Sequence, residues 1–523
     1  MLSSFGATQV EMASTAEDAM NKCKYDYYDI ILCDFNLGAG KNGQQILEEL
    51  RVTKRIKHTH LFIMITAETS KEVVLGAREY QPDAYIAKPI TRTVLEQRLG
   101  QLLTQQKTLK PINKEIDLSN YSKAISLCTQ MIESKSRYKS WCLQTLARLY
   151  ALIGDNSSAE KVYRDVLNVR DVPWAQLGMG QVLNLEQQYH DAKTCFKEVI
   201  LNNPNMIEAY DGMSESCLQL GQPKEAQAVL QEAVNLSPRL VLRQEKLGKI
   251  CIKNNDLDGA SSAFRHAVSY GENSIHEKPE HYLELGRCLS EQAKDNNTEE
   301  GKALAKEAIT VLEKASIKFC DNEDASVSAL LIESRVYKGQ NQNDKAEDTL
   351  HKAECLLEES DLSAEVGIEL AKTLYDLGQQ ERAEKLLVEL SNRFHDIPDV
   401  HAKIEALMDE PEDLVTRLKA KELNKQAIQH VDAGDMVAAI SSFESALELT
   451  PKHAALNLNF VQVLIKLYKN EPNAEHIRKA NTALNRIQHI PEQHNQFKRL
   501  KHFMKLTLKL ASDNAPEGVQ HEQ

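Results

Sequence analysis

Three residues near the start of the chain have types that could act together on a phosphoryl group: Asp34, Thr66 and Lys88. Each follows a short apolar run. Asp34 ends Ile30-Ile31-Leu32-Cys33, Thr66 ends Leu61–Ile65, and the Lys88-Pro89 pair follows Ala84–Ile86. A carboxylate is the nucleophile that phosphoryl capture requires. A hydroxyl donates to a phosphoryl oxygen, and an ammonium offsets the charge. A strand-end Asp is by itself most often structural, and Lys-Pro is common. Three such residues in order, each closing an apolar segment, make a constellation.

The elements that position them follow from hydrophobic period. Segments Thr8–Met12, Asp29–Cys33, Leu61–Ile65 and Ala84–Ile86 read as strands. Segments Ser14–Cys23, Gly43–Thr53, Ser70–Glu79 and Thr91–Thr104 read as amphipathic helices, the first opened by Ser14-Thr15 and an acid. Strands that are apolar nearly throughout, alternating with helices, predict a parallel α/β sheet. In such sheets chemistry sits at the carboxyl ends of the strands, which is where the three residues fall.

These residues resemble the response-regulator receiver family: Asp29 through Asp34, Asn36-Leu37, Gly43, Thr66-Ala67, Tyr85 and Lys88-Pro89. The resemblance covers about a fifth of the chain. It implies a flavodoxin-like α/β fold, with Asp34 as phospho-acceptor and Thr66 and Lys88 as phosphoryl-binding residues. It further implies Tyr85 as an aromatic switch, the Asn36 backbone carbonyl as a Mg²⁺ ligand, and a cis Lys88-Pro89 peptide. Gly38 stands where the family often has Pro. The family's first strand, which ends in the Mg²⁺-binding acid pair, is absent from the chain as written, and Met1–Gly6 reads as the last turn of the first helix. Either the domain starts upstream or this receiver is degenerate; the upstream start is the expectation.

Other motifs carry less. Gly38–Gly43 lacks the gap and the Ser/Thr of a phosphate-binding loop. His276 and His281 flank Glu277 and Glu280 without the H-E-x-x-H spacing, and Pro279 between them reads as a loop. Lys498–Lys509, with Phe503, Met504, Leu506 and Leu508 interleaved, reads as an amphipathic capping helix.

Beyond residue 104 the strand pattern gives way to a fixed period. Ala192, Ala226 and Ala260 are spaced by 34, as are Phe196, Leu230 and Phe264. A small residue stands twelve positions before each key Ala: Ala147, Gly180, Ser214, Gly248, Ser334, Ala371 and Ala427. Small residues let paired helices approach, large ones fill the remaining gap, and stacked pairs bury a continuous core. The pattern resembles the tetratricopeptide repeat (TPR) family, in roughly nine units. One unit is stretched between Asp295 and Gly301, and Pro411–Leu418 forms an interruption. The family lines a protein-binding groove with particular first-helix positions. Carried over, these are Trp141, Gln144 and Arg148; Trp174, Leu177 and Gln181; Glu208, Asp211 and Glu215; and Leu242, Glu245 and Lys249. Both Trp of the protein fall on equivalent positions of adjacent units. Trp is favoured in interfaces because it buries a large area with few rotamers; packing on the neighbouring repeat is the other reading.

The net charge of −13 argues against a general nucleic-acid binder. Ten Cys without a C-x-x-C pair point to reduced thiols. The expectations are a receiver over residues 1–104, a TPR array over 105–490, and a capping helix with a disordered tail over 491–523. The protein is expected to be a cytoplasmic, non-enzymatic two-component regulator with no membrane span. A histidine kinase would phosphorylate Asp34, and a protein or peptide would bind the array. The alternative is a phosphorylation-independent scaffold with a degenerate receiver.

Overall fold

Three apolar segments pair in parallel in the order β1-β2-β3: β1 (Ile30–Asp34), β2 (Leu61–Thr66) and β3 (Ala84–Ala87). Asp34 lies opposite Ile65, and Thr66 opposite Ala87. The computed structural model describes residues 5–38, 40–67, 82–357, 362–394, 396–397, 400, 403–404, 407, 414–451, 453–470, 473–487 and 496–512. The predicted helix Ser70–Glu79 lies outside them, as do Pro411–Asp413 and residues 513–523 of the predicted tail. Two compact bodies, Met1–Ala325 and Ser326–Gln523, are each described by themselves.

In the first body, helices α1 (Ala16–Tyr25) and α2 (Gly43–Val52) cover one side of the sheet, where Ile46, Leu47, Leu50, Phe62 and Met64 are buried. Thr15 caps α1 by accepting from Asp18 N (3.1 Å), and Asn42 and Gln45 form a capping box at α2. Segment Thr8–Met12 is not a strand. Its residues are exposed, with Met12 at 85%. A strand exists only through its ladder, and among the described residues the only strand paired with β1 is β2.

Helix α3 (Arg92–Asp117) closes the sheet's other side through Leu95 and Leu99. It does not stop at Thr104. Residues 105–111, where the array is expected to begin, continue the same helix, with Pro111 inside it. Proline removes one helix bond. Leu109 and Ile112, 2% and 1% exposed, pack with Ala124, Cys128 and Cys142 of the next two helices and hold the turn in place. The receiver's last helix is therefore also the array's first.

From there the chain is helical: α4 (Tyr121–Glu133), then the pairs α5 (Lys139–Leu152) with α6 (Asn156–Val169), α7 (Pro173–Leu185) with α8 (Tyr189–Asn202), and α9 (Ile207–Gln219) with α10 (Pro223–Leu236). Next come α11 (Val241–Lys253) with α12 (Leu257–Gly271) and α13 (Pro279–Ala293) with α14 (Glu299–Lys318). Pro279 opens α13 at its first turn, where its missing N–H costs nothing, so His281 is helical and not in a loop. The stretched turn predicted at 295–301 spans Lys294–Thr298, with Asp295 at φ 55°.

The key alanines 124, 159, 192, 226 and 260 are fully buried. The small residues have visible reasons. A side chain on Gly180 would meet the Phe196 ring at 2.7 Å, and one on Gly248 the Phe264 ring at 2.6 Å. Ser214 instead donates its hydroxyl to the carbonyl of Ala226, at 3.1 Å. The turn between paired helices needs a left-handed residue. Gly154 and Gly221 supply it, and Gln187 and Asn255 adopt it with side chains, at φ 62° and 58°.

In the second body the same devices recur. The helices are α15 (Glu323–Gly339), α16 (Asn343–Leu357), α17 (Ala364–Asp376), α18 (Gln380–Arg393), α19 (Leu414–Asp432), α20 (Met436–Leu449), α21 (Ala454–Asn470) and α22 (Ala474–Arg486). Ser334 donates to the Ala346 carbonyl at 2.6 Å. Helix α23 (Phe497–Ser512) caps the array through Leu500, Phe503 and Met504.

Candidate functional site

Asp34 stands at the carboxyl end of β1 because a buried apolar strand delivers it there. Lys88, just past β3, reaches back so that its Nζ lies 2.5 Å from Asp34 Oδ2. The two side chains are 33% and 42% exposed, so the pair is open to an incoming group. Asn36 donates its backbone N–H to Asp34 Oδ1 (3.3 Å), and its own Oδ1 accepts from Gly38 N (3.1 Å). Thr66 ends the strand between the other two and is buried at 1% exposure; its carbonyl accepts from Lys88 N at 2.6 Å. Tyr85 is half-buried against the cluster of Phe62 and Met64. The Lys88-Pro89 peptide is cis.

The loop after Asp34 is tight for a stated reason. Gly43, the first residue of α2, passes so close that a Cβ there would sit 2.2 Å from the Asp34 carbonyl oxygen. Lys41 turns away to pair with Glu49, which removes it from any phosphate-loop role. Burial, then the Asp34 charge, pushes the Cys33 thiol up to about 12, so it is no competing nucleophile near neutrality.

Receiver chemistry implies Mg²⁺. An octahedral oxygen site needs more than one carboxylate or substrate oxygens to match. The described residues bring one carboxylate, Asp34, already engaged by Lys88, and among them no group of three or more Asp, Glu, His or Cys converges. The residues present do not fit the ion.

The array positions named from sequence divide into two kinds. Trp141 is half-buried among the residues around Leu109 and Cys128. Trp174 packs edge-on against Tyr163, with ring centroids 6.2 Å apart. Arg148 and Glu208 are exposed and Leu177 is half-buried. The acids of the later units are engaged internally. Asp211 accepts from Arg243 Nε and Nη2 at 2.9 and 2.7 Å, and Glu215 pairs with Lys246 at 2.8 Å. Burial works against the Glu245 charge, but hydrogen bonds from Lys249 and His281, with the charges of Lys249 and Lys278, hold its pKa down at about 2.

Sequence reasoning missed two polar seams. Asp117, at the far end of α3, accepts from His58 N (2.7 Å) and from Thr59 N (3.2 Å) and Oγ1 (2.9 Å). Gln45 and Glu48 on α2 meet residues 270–276 of the array. Nothing in local spacing marks partners so far apart in the chain.

Residues 1–100 match the family model for the response regulator receiver domain, and residues 207–240 that for a tetratricopeptide repeat. The chain is 28% identical over 102 residues to chemotaxis protein CheY-3 of Vibrio cholerae serotype O1, covering 20% of this chain and 77% of that protein. It is 26% identical over 102 residues to chemotaxis protein CheY of Pseudomonas aeruginosa, covering 20% and 81%. Among solved structures, the C-terminal part of a TPR repeat-containing protein from Cytophaga hutchinsonii is similar at 15% identity and a TM-score of 0.38, covering 50% of this chain and 99% of that one. MamA from Desulfovibrio magneticus RS-1 is similar at 20% identity and a TM-score of 0.28, covering 31% and 91%. No helix among the described residues is long and apolar enough to cross a membrane.

Proposed function

With a response regulator receiver domain joined to tetratricopeptide repeats as the premise, we propose that the chain is a two-component regulator whose phosphorylation at Asp34 by a histidine kinase alters protein binding by the array. The observation that carries this is the convergence of Asp34, Thr66 and Lys88 at three adjacent parallel strand ends, with the Lys88 ammonium on the Asp34 carboxylate.

In the transfer, an Asp34 carboxylate oxygen attacks phosphorus. The bond from phosphorus to the donor imidazole nitrogen breaks, and the imidazole leaves with the electron pair and takes up a proton. Lys88 offsets the charge of the acyl phosphate, and the Thr66 hydroxyl donates to a phosphoryl oxygen. Thr66 and Tyr85 then settle on the modified site, and the face of β3 and α3 shifts between two states. Because α3 continues into the first repeats, that shift has a direct route to the array.

The test is labelling of the full chain by a small acyl phosphate, with and without Mg²⁺, since the residues present do not fit the ion. Wild type takes up an alkali-labile phosphoryl group, and Asp34→Asn takes up none. Equal labelling of the two moves the site elsewhere. No labelling of wild type returns the chain to a constitutive, non-catalytic scaffold.

The binding half of this reading places a protein or peptide ligand over Trp141, Arg148, Trp174, Leu177, Glu208 and Asp211. Arg148 is the cleanest probe because it is exposed. In pull-downs, Arg148→Glu and the double variant Trp141→Ala/Trp174→Ala weaken partner capture by about tenfold or more. A loss confined to the Trp variant, together with a lowered melting temperature, returns those rings to packing.

A further inference from the structure

The receiver touches the array far from the helix they share, and that contact has the composition of something made to open. On α2, Gln45 Nε2 donates to the carbonyls of Tyr270 (3.5 Å) and Glu272 (3.0 Å). One turn later Glu48, 5% exposed, accepts from Ser274 Oγ (3.2 Å) and lies 2.7 Å from His276 Nε2. We propose that this seam is a releasable latch that docks the receiver on the connection between α12 and α13.

Three observations support release. First, the seam is polar. Among the described residues, the receiver's apolar clusters around Leu47 and around Ile86 draw on no residue beyond Leu102, so parting α2 from residues 270–276 opens neither. The carboxylate, imidazole, hydroxyl and amide exchange protein partners for water, which is far less costly than tearing apart packed side chains.

Second, the array is lengthened where the receiver meets it. Residues 170–172, 203–206 and 237–240 join the earlier helix pairs, but residues 272–278 join α12 to α13. The longer connection is a short turn of its own, outside both helices. Asn273 adopts φ 67°, Ser274 N donates to Gly271 O at 2.8 Å, and Asn273 N donates to Glu277 Oε2 at 3.1 Å. It can let go of α2 without unwinding either helix.

Third, α2 is coupled to the phosphoryl site by contact. Its first residue, Gly43, abuts the Asp34 carbonyl, so a shift at the end of β1 moves the helix that carries Gln45 and Glu48. The latch goes beyond the functional reading above, since it exists whether or not Asp34 is modified.

The decisive variant is Gln45→Glu. Asn42 N donates to Gln45 Oε1 in the capping box (3.0 Å), a role glutamate fills equally well, so α2 keeps its cap. The atom that donated to two carbonyls becomes a carboxylate oxygen that they repel. Hydrogen exchange on the full chain, with no phosphodonor present, then shows amides 272–277 exchanging about tenfold faster or more, while α2 and β2 keep their wild-type rates. Glu48→Gln gives the same pattern more weakly. Wild-type rates at 272–277 in both variants overturn the latch. So does acceleration spread through α2 and β2, which would make the seam part of the receiver's own fold.

Discussion

Phe196→Ala lowers the stability of the first body by about 3–5 kcal/mol, the range for emptying a buried aromatic site. Phe196 is fully buried where α7, α8 and α9 meet. Side chains on Gly180 and Gly212 would lie 2.7 and 2.4 Å from its ring, so the two glycines exist to admit it. Removing the ring leaves two bare backbone stretches facing a void that their helices, braced by the neighbouring pairs, close only in part. In a stacked array each pair contacts chiefly its neighbours. Urea unfolding followed by hydrogen exchange therefore shows α7 to α10 losing protection first. Uniform loss across both bodies would contradict this local account.

Asp211→Ala is expected to cost about 2–4 kcal/mol, somewhat below the usual cost of breaking a buried pair because solvent reaches the acid; Asp211 is 35% exposed. Its partner is the reason for the size. Arg243 is 3% exposed and points both Nε and Nη2 at this one carboxylate. Without it, the buried guanidinium loses the carboxylate that accepts from two of its nitrogens. The double variant Asp211→Ala/Arg243→Leu recovers much of the loss, because removing both charges avoids that state. Chemical denaturation of the two variants measures this. The same experiment bears on the groove. Under the binding reading proposed above, Asp211 would meet a ligand only by sharing its oxygens with Arg243, whereas Arg148 is exposed.

The candidate site was legible because its residues end apolar runs: Asp34, Thr66 and Lys88 follow from strand termini alone. The array was legible from the spacing of Ala192, Ala226 and Ala260. What failed shares one cause, which is dependence on distant chain. Thr8–Met12 alternates like a strand, yet pairing requires a neighbour and propensity does not supply one. The helix read as Thr91–Thr104 runs on through Pro111, because burial of Leu109 and Ile112 outweighs the lost bond. Pro279 reads as a loop, yet it begins a helix. Glu48 looks like any acid on a helix, and its meeting with His276 leaves no trace in local sequence.

Helix α3 has 26 residues, about 39 Å at 1.5 Å per residue. A free rod of that length would act as a lever, turning a tilt of about 5° at the sheet into a swing of about 3 Å at its tip. This one is stayed at the tip, because Asp117 and Asn113 are tied back to His58 and Thr59 of the receiver itself. A stayed rod resists bending and transmits rotation about its own axis. On the functional reading proposed above, what α3 would pass to the first repeats is torque, felt as a change of pitch between successive helix pairs.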